Sequence, residues 1–166
     1  SKLSFCSTPV KLLKCLQFKA KLLMARCFYE NKNYNESKSA YKALIEVDKD
    51  NPEIEDTDIR WYGTAQLFTG DTTAALATYK GLVNKSPEGS CNLTNLVGRM
   101  MFSSKKYDEA IYFFNRRLET EACSDSTDAK VLYYKGLSYL FMKQADSAIV
   151  YLNQSYAMDT TDAGPL

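Results

Sequence analysis

The chain has 166 residues, 45% of them hydrophobic, and a formal net charge of +1. This balance lacks the basic excess expected of a general nucleic-acid-binding protein. The chain contains no histidine, the residue that most often serves as a general base or metal ligand. We therefore expect a non-enzymatic protein with no cofactor and no metal site. No apolar run approaches the length needed to span a membrane.

The pattern of apolar residues predicts eight helices and no strand. Capping side chains followed by prolines indicate helix starts at Pro9, Pro52 and Pro87, and Asp71 after Gly70 opens another helix. We expect an all-α fold with helices at 9–31, 34–48, 53–69, 72–85, 91–104, 107–121, 127–143 and 145–158.

The first predicted helix is longer than the others and is rich in lysine. Its apolar residues continue upstream of residue 19, so the extra turns either cover the leading face of the fold or pack against other sequence. Basic side chains also concentrate here, at Lys11, Lys14, Lys19, Lys21 and Arg26. They form either a solvated helix face or a docking strip for an anionic partner.

A pair of small residues recurs through the chain. The first member is Ala25, Gly63, Gly98 or Gly136, at intervals of 38, 35 and 38 residues, and the second follows twelve residues later at Ser37, Ala75, Ala110 or Ala148. Four positions after the second member comes Tyr41, Tyr79, Phe114 or Leu152. Because glycine within a helix costs about 0.5–1 kcal/mol relative to alanine, we expect a packing reason for it. Two helices must approach closely at each pair.

This pattern resembles the tetratricopeptide repeat (TPR), a helix–turn–helix unit of about 34 residues. The segment 107–111, YDEAI, is very similar to the opening of the second TPR helix. The resemblance implies a right-handed superhelical solenoid of about four units, at 19–52, 55–88, 90–123 and 128–161. Residues 1–18 would extend the first helix and 159–166 would form a tail. The alternative is an ordinary helical bundle with coincidental spacing.

Five cysteines are present, with no CxxC pair among them. Reduced thiols are the expected state, and on that ground a cytoplasmic location is slightly favoured. The alternative is a Cys91–Cys123 bridge. The TPR resemblance implies that the start of one first helix and the end of the following second helix lie at the same edge of the stack.

In TPR proteins the first helix of each unit lines a concave surface, so the resemblance assigns a partner-binding groove to this chain. Arginines there could bind carboxylates, and aromatic side chains could anchor an interface. Alternatively, several of these aromatics pack against second helices. The candidate groove residues are Arg26, Tyr29, Arg60, Thr64, Phe68, Asn95, Arg99, Phe102, Tyr133, Leu137 and Phe141.

We therefore expect a protein-interaction module, a scaffold or adaptor that holds a peptide or partner segment with acidic and apolar residues. The last repeat lacks a polar capping helix, and an uncapped repeat exposes apolar surface. The alternative is thus a structural, self-associating repeat protein whose terminal repeats build oligomers, or a fragment of a larger TPR assembly factor.

Overall fold

The computed structural model describes residues 9–125 and 127–162, with side chains up to Asp159. The regular elements in this part are all helical, which confirms the expected fold class. Two short 3-10 helices, Glu88–Ser90 and Glu121–Cys123, accompany eight α-helices: α1 Pro9–Glu30, α2 Tyr34–Val47, α3 Asp56–Phe68, α4 Thr72–Lys85, α5 Cys91–Ser103, α6 Tyr107–Glu119, α7 Asp128–Phe141 and α8 Ala145–Asp162.

Two helix ends differ from the prediction. Helix α3 begins at Asp56 rather than at 53, because the Asn51 side chain accepts a hydrogen bond from the Glu53 N–H at 3.0 Å and shapes a turn. Helix α8 continues to Asp162 instead of ending at 158, so it runs into the predicted tail. Residues 1–8 of the predicted extension and 163–166 of the predicted tail lie outside the described residues.

The chain divides into two compact units, residues 1–82 and 83–166. The first unit holds the hairpins α1/α2 and α3/α4, with the boundary falling in the last turns of α4. Helix α2 also packs against α3 there. The second unit holds the hairpins α5/α6 and α7/α8, and α6 packs against α7. Each unit has its own buried side chains, such as Tyr41 and Leu44 in the first and Phe113 and Phe114 in the second.

The recurring glycines receive the large side chains of the second helices. A Cβ atom placed on Gly98 would lie 2.5 Å from the Phe114 ring, and on Gly63 it would lie 2.7 Å from the Tyr79 ring. In the last repeat, a Cβ atom on Gly136 would lie 2.8 Å from a carbon of Leu152. These distances are shorter than carbon–carbon contact, so glycine is required there. The expected packing reason for the glycines is thus confirmed.

In the first repeat, alanine and serine replace the usual glycine and alanine. Ala25 is fully buried, and the Ser37 hydroxyl donates a hydrogen bond to the Ala25 carbonyl at 3.2 Å. The backbone of α1 therefore lies within reach of a short side chain on α2, as the small-residue pair predicts.

The turn that ends the first helix of each hairpin has the same backbone geometry in all four repeats. Its central residue has a positive φ, namely 60° at Lys32, 83° at Gly70, 59° at Lys105 and 61° at Lys143. At Lys105, its own N–H bonds the Phe102 carbonyl and the next N–H bonds the Met101 carbonyl, at 2.9 Å each. This pair of bonds closes a helix C-terminus in the Schellman arrangement. Three lysines thus occupy a conformation that glycine adopts without cost.

The expectation of reduced thiols is wrong for the paired cysteines. Cys91, at the start of α5, and Cys123, at the end of the second 3-10 helix, form a disulfide with a Cα–Cα distance of 5.3 Å. Cys15 is also disulfide-bonded, whereas Cys27 is an exposed free thiol. Because disulfides persist mainly in oxidising compartments, this pairing removes the ground on which a cytoplasmic location was favoured.

A buried arginine fixes the connection between α6 and α7. The Arg117 side chain is only 2% exposed, and its Nη2 donates to the Thr127 hydroxyl and to Asp125 Oδ1, both at 2.9 Å. The Thr127 N–H also donates to Asp125 at 2.7 Å. Hydrogen bonds from Thr127, reinforced by Arg117, lower the pKa of Asp125 to about 2. The loop is therefore held by a charged network that the sequence analysis did not identify.

Candidate functional site

The predicted groove residues lie on the first helices of the hairpins, α1 and α3 in the first unit and α5 and α7 in the second. We describe them as two patches, one in each unit. The first patch comprises Arg26, Tyr29, Arg60, Thr64 and Phe68; the second patch comprises Asn95, Arg99, Phe102, Tyr133, Leu137 and Phe141.

In the first patch, Arg26 is held by a buried carboxylate. Its Nε and Nη2 donate to the two oxygens of Asp58, each at 2.7 Å. Asp58 is 1% exposed and also accepts hydrogen bonds from the Tyr41 hydroxyl at 3.1 Å and from the Glu55 N–H at 2.9 Å. The hydrogen bond with Asp58 raises the pKa of Arg26 well above its ordinary value. Arg26 therefore joins α1 to α3 as a structural residue.

The sequence analysis did not find this pairing, because Asp58 stands among acidic residues whose place at a helix start is explained by the helix dipole. Asp58 does serve the helix start, in a reciprocal capping box with Glu55. The bond to Arg26 spans 32 residues along the chain, and no local pattern announces such a contact.

Four aromatic rings form a connected row in the first patch. Tyr29 stacks on Trp61 with ring centres 4.8 Å apart, and Phe68 stacks on Tyr34 at 4.5 Å. Tyr29 and Tyr34 meet edge to face at 5.8 Å and connect the two stacks. Phe68 remains 64% exposed. Trp61 and Tyr34 were not predicted site residues, and Tyr34 belongs to a second helix, so both interpretations of the aromatics apply to Phe68.

The polar residues of the first patch differ in availability. The Thr64 hydroxyl donates to the Arg60 carbonyl at 2.9 Å and lies 3.0 Å from the Tyr79 hydroxyl, so it is occupied within the unit. Arg60 is exposed, and within the described part of the chain its guanidinium forms no ion pair. Arg60 is thus a cation that this patch presents to solvent.

In the second patch, Phe102 is the centre of an aromatic cluster. Its ring centre lies 5.3 Å from that of Tyr134, 5.8 Å from that of Tyr107 and 5.9 Å from that of Phe141. Tyr107 and Phe141 stack on each other at 5.3 Å. Phe141 is still 57% exposed. Sequence analysis named Tyr107 only as the opening residue of a second helix and did not place Tyr134 in the site.

Arg99 lies above this cluster. Its guanidinium carbon is 5.4 Å from the centre of the Tyr134 ring, a cation–π distance. Tyr133 is exposed beside it and meets Tyr134 edge to face at 5.6 Å. Arg99 is exposed and has no ion-pair partner among the described residues. Asn95 and Leu137 lie half-buried on α5 and α7. The second patch therefore combines an exposed cation with accessible aromatic rings.

Metal binding needs a cluster of ligating side chains, and crossing a membrane needs a long apolar helix. Across residues 9–125 and 127–159, no group of three or more Cys, Asp or Glu side chains could hold a metal ion. The described helices include none with the length and apolar character needed to cross a membrane.

Comparison with known proteins identifies the repeat. The tetratricopeptide repeat family model matches residues 19–50 and 130–156, which fall in the first and last hairpins. A comparison with curated protein sequences gives no match.

Solved structures share the fold at low sequence identity. A crystal structure of MamA aligns at 15% identity over 93% of this chain and 86% of that chain, with a TM-score of 0.63. BtubC from P. vanneervenii aligns at 14% identity over 90% of this chain and 65% of that chain, with a TM-score of 0.60. YrrB, a TPR protein, aligns at 16% identity over 81% of this chain and 64% of that chain, with a TM-score of 0.57. With its repeated glycine-to-aromatic packing and its two matched repeats, this chain belongs to the tetratricopeptide repeat family.

Proposed function

We propose that the chain is a non-enzymatic protein-interaction module that binds a peptide segment with acidic and apolar residues through the first and second patches. One observation carries the proposal. Each patch presents an exposed arginine, Arg60 or Arg99, without an ion-pair partner among the described residues and on the same pair of helices as partly exposed aromatic rings.

The chemistry of the patches supports an acidic and apolar ligand. A guanidinium forms short charge-assisted hydrogen bonds with carboxylates. Large aromatic side chains such as Phe68 and Phe141 are typical anchors of interfaces because they bury much surface at little entropic cost. Arg26 is left out of the ligand contacts, since Asp58 already uses its donors. YrrB, which shares the fold, has by its description an unusual peptide-binding site.

Peptide selection tests this function while the natural partner is unidentified. Peptides selected from a random display library against the full chain should be rich in Asp, Glu and large apolar residues. Their affinity for an Arg60→Ala/Arg99→Ala variant should fall by about 1.5–3 kcal/mol for each charge-assisted hydrogen bond removed, and it should fall with added salt. A Lys38→Ala/Lys80→Ala variant, changed on second helices, serves as the matched control.

A Phe141→Ala variant separates the apolar part of the contact from the charged part. It should weaken peptide binding while leaving the salt dependence in place, because the arginines remain. Selected peptides that bind the arginine variant as tightly as the unchanged chain at low ionic strength would refute the proposal.

A further inference from the structure

An apolar groove lies on the first hairpin and shares no lining residue with the two patches. It has a volume of about 730 Å³, and its lining residues come from α1, α2 and the turn that follows α2. Phe18 and Met24 contribute from α1, and Leu44 and Val47 from α2. Val47 is 79% exposed, so this face of the hairpin carries apolar surface that a covering element would bury.

The rim of the groove is basic. Lys14 and Lys21 line it from α1, and neither forms an ion pair within the described residues. Asp48 is the acidic residue among the lining side chains. From residue 9 to residue 29 the α1 sequence contains four lysines and one arginine but no acidic residue. A covering element should therefore carry negative charge.

Helix α8 has the complementary character. It contains three aspartates and no lysine or arginine. Asp146, Ile149 and Val150 are exposed and fall on one face of the helix, because they are spaced three and four residues apart. Ile149 and Val150 are each more than half exposed. With 18 residues, α8 is long enough to follow the part of α1 that lines the groove, from Lys11 to Met24.

We propose that this groove binds α8 of a second copy of the chain. The two surfaces are different, so the contact is heterologous, and repeated contacts of this kind produce rings or open chains rather than a symmetric dimer. The exposed apolar side chains on both surfaces supply burial. The lysines on one surface and the aspartates on the other fix the pairing. Neither surface includes a patch residue, so self-association and peptide binding are independent.

Sedimentation velocity of the full chain over a wide concentration range tests the contact. The weight-average sedimentation coefficient should rise with protein concentration and should rise less at high salt. Lys14→Glu/Lys21→Glu should weaken association by roughly tenfold or more, the change expected when like charges replace attractive ones. Asp146→Lys should act in the same direction.

Mixing the two charge-reversed proteins makes the test specific. The Lys14→Glu/Lys21→Glu chain and the Asp146→Lys chain should associate with each other more tightly than either associates with itself, because the mixture restores one attractive contact. Lys106→Glu/Lys130→Glu is the matched control and should associate as the unchanged chain does. Circular dichroism verifies that each variant is folded. A monomer at every concentration, or association that the charge reversals leave unchanged, would overturn the proposal.

Discussion

Residues in the left-handed region show how a repeat can keep a backbone geometry without the residue best suited to it. Gly70 adopts a φ of 83° without steric cost, whereas Lys105 holds nearly the same geometry at 59° with a side chain attached. The hydrogen bonds that close the helix, from the Lys105 and Lys106 N–H groups, outweigh that cost.

Replacing Lys105 with glycine should therefore stabilise the protein by up to about 1 kcal/mol, because it relieves the left-handed conformation while keeping the turn. The opposite exchange, Gly70→Ala, should destabilise it by a similar amount. Chemical denaturation of both variants measures the difference. Equal stability of Lys105→Gly and the unchanged chain would mean that the lysine is accommodated without strain.

At the scale of the elements, a glycine on one helix and a large side chain on the next decide how each of the last three hairpins packs. Gly63, Gly98 and Gly136 each lie against a residue sixteen positions later, Tyr79, Phe114 and Leu152 respectively. In the first hairpin, buried Ala25 and Tyr41 stand at the same interval. The interval recurs because each pair of helices has a similar length and a similar short turn. Helix packing is thus specified by two positions per repeat.

Gly98→Ala tests this packing directly. The added methyl group would overlap the Phe114 ring, so the free energy of unfolding should fall by about 1–3 kcal/mol. Gly98→Leu and Ala110→Leu should cost at least as much. Gly81→Ala is the matched control, since nothing lies within 4 Å of its new Cβ atom, and alanine there should stabilise the helix by about 0.5–1 kcal/mol. Thermal unfolding that ranks Gly98→Ala beside Gly81→Ala would contradict the proposed packing.

For the molecule as a whole, cross-links add to a modest core. The Cys91–Cys123 disulfide joins residues 32 apart in sequence, at the start of α5 and after α6, and so closes a loop around an entire hairpin. In the chain-entropy account, such a loop limits the unfolded ensemble and stabilises the folded state.

Cys91→Ser/Cys123→Ser should lower the free energy of unfolding by about 2–4 kcal/mol, measured by denaturation under non-reducing conditions. Cys27→Ser removes the exposed free thiol and should change stability by less than about 0.5 kcal/mol. A reducing agent should destabilise the unchanged chain as well. An equally stable double variant would show that this disulfide does not support the fold.

The sequence by itself determined the features that repeat over short distances. Helix positions, the register of four repeats and the role of the glycines all follow from periodicity and from residues at most sixteen positions apart. Even the start of α3 differs from its prediction by only a few residues, because the Asn51 turn replaces the helical start that Pro52 suggested.

Only the tertiary structure decided which distant side chains meet. Arg26 pairs with Asp58, Cys91 pairs with Cys123, and Tyr107 joins Phe102 and Phe141 in one cluster. Partners of this kind are set by the way helices from successive repeats pack, and a local pattern does not encode them. The same packing consumed one predicted groove arginine and left Arg60 and Arg99 exposed, because Arg26 is the groove arginine that faces the buried carboxylate at the start of α3.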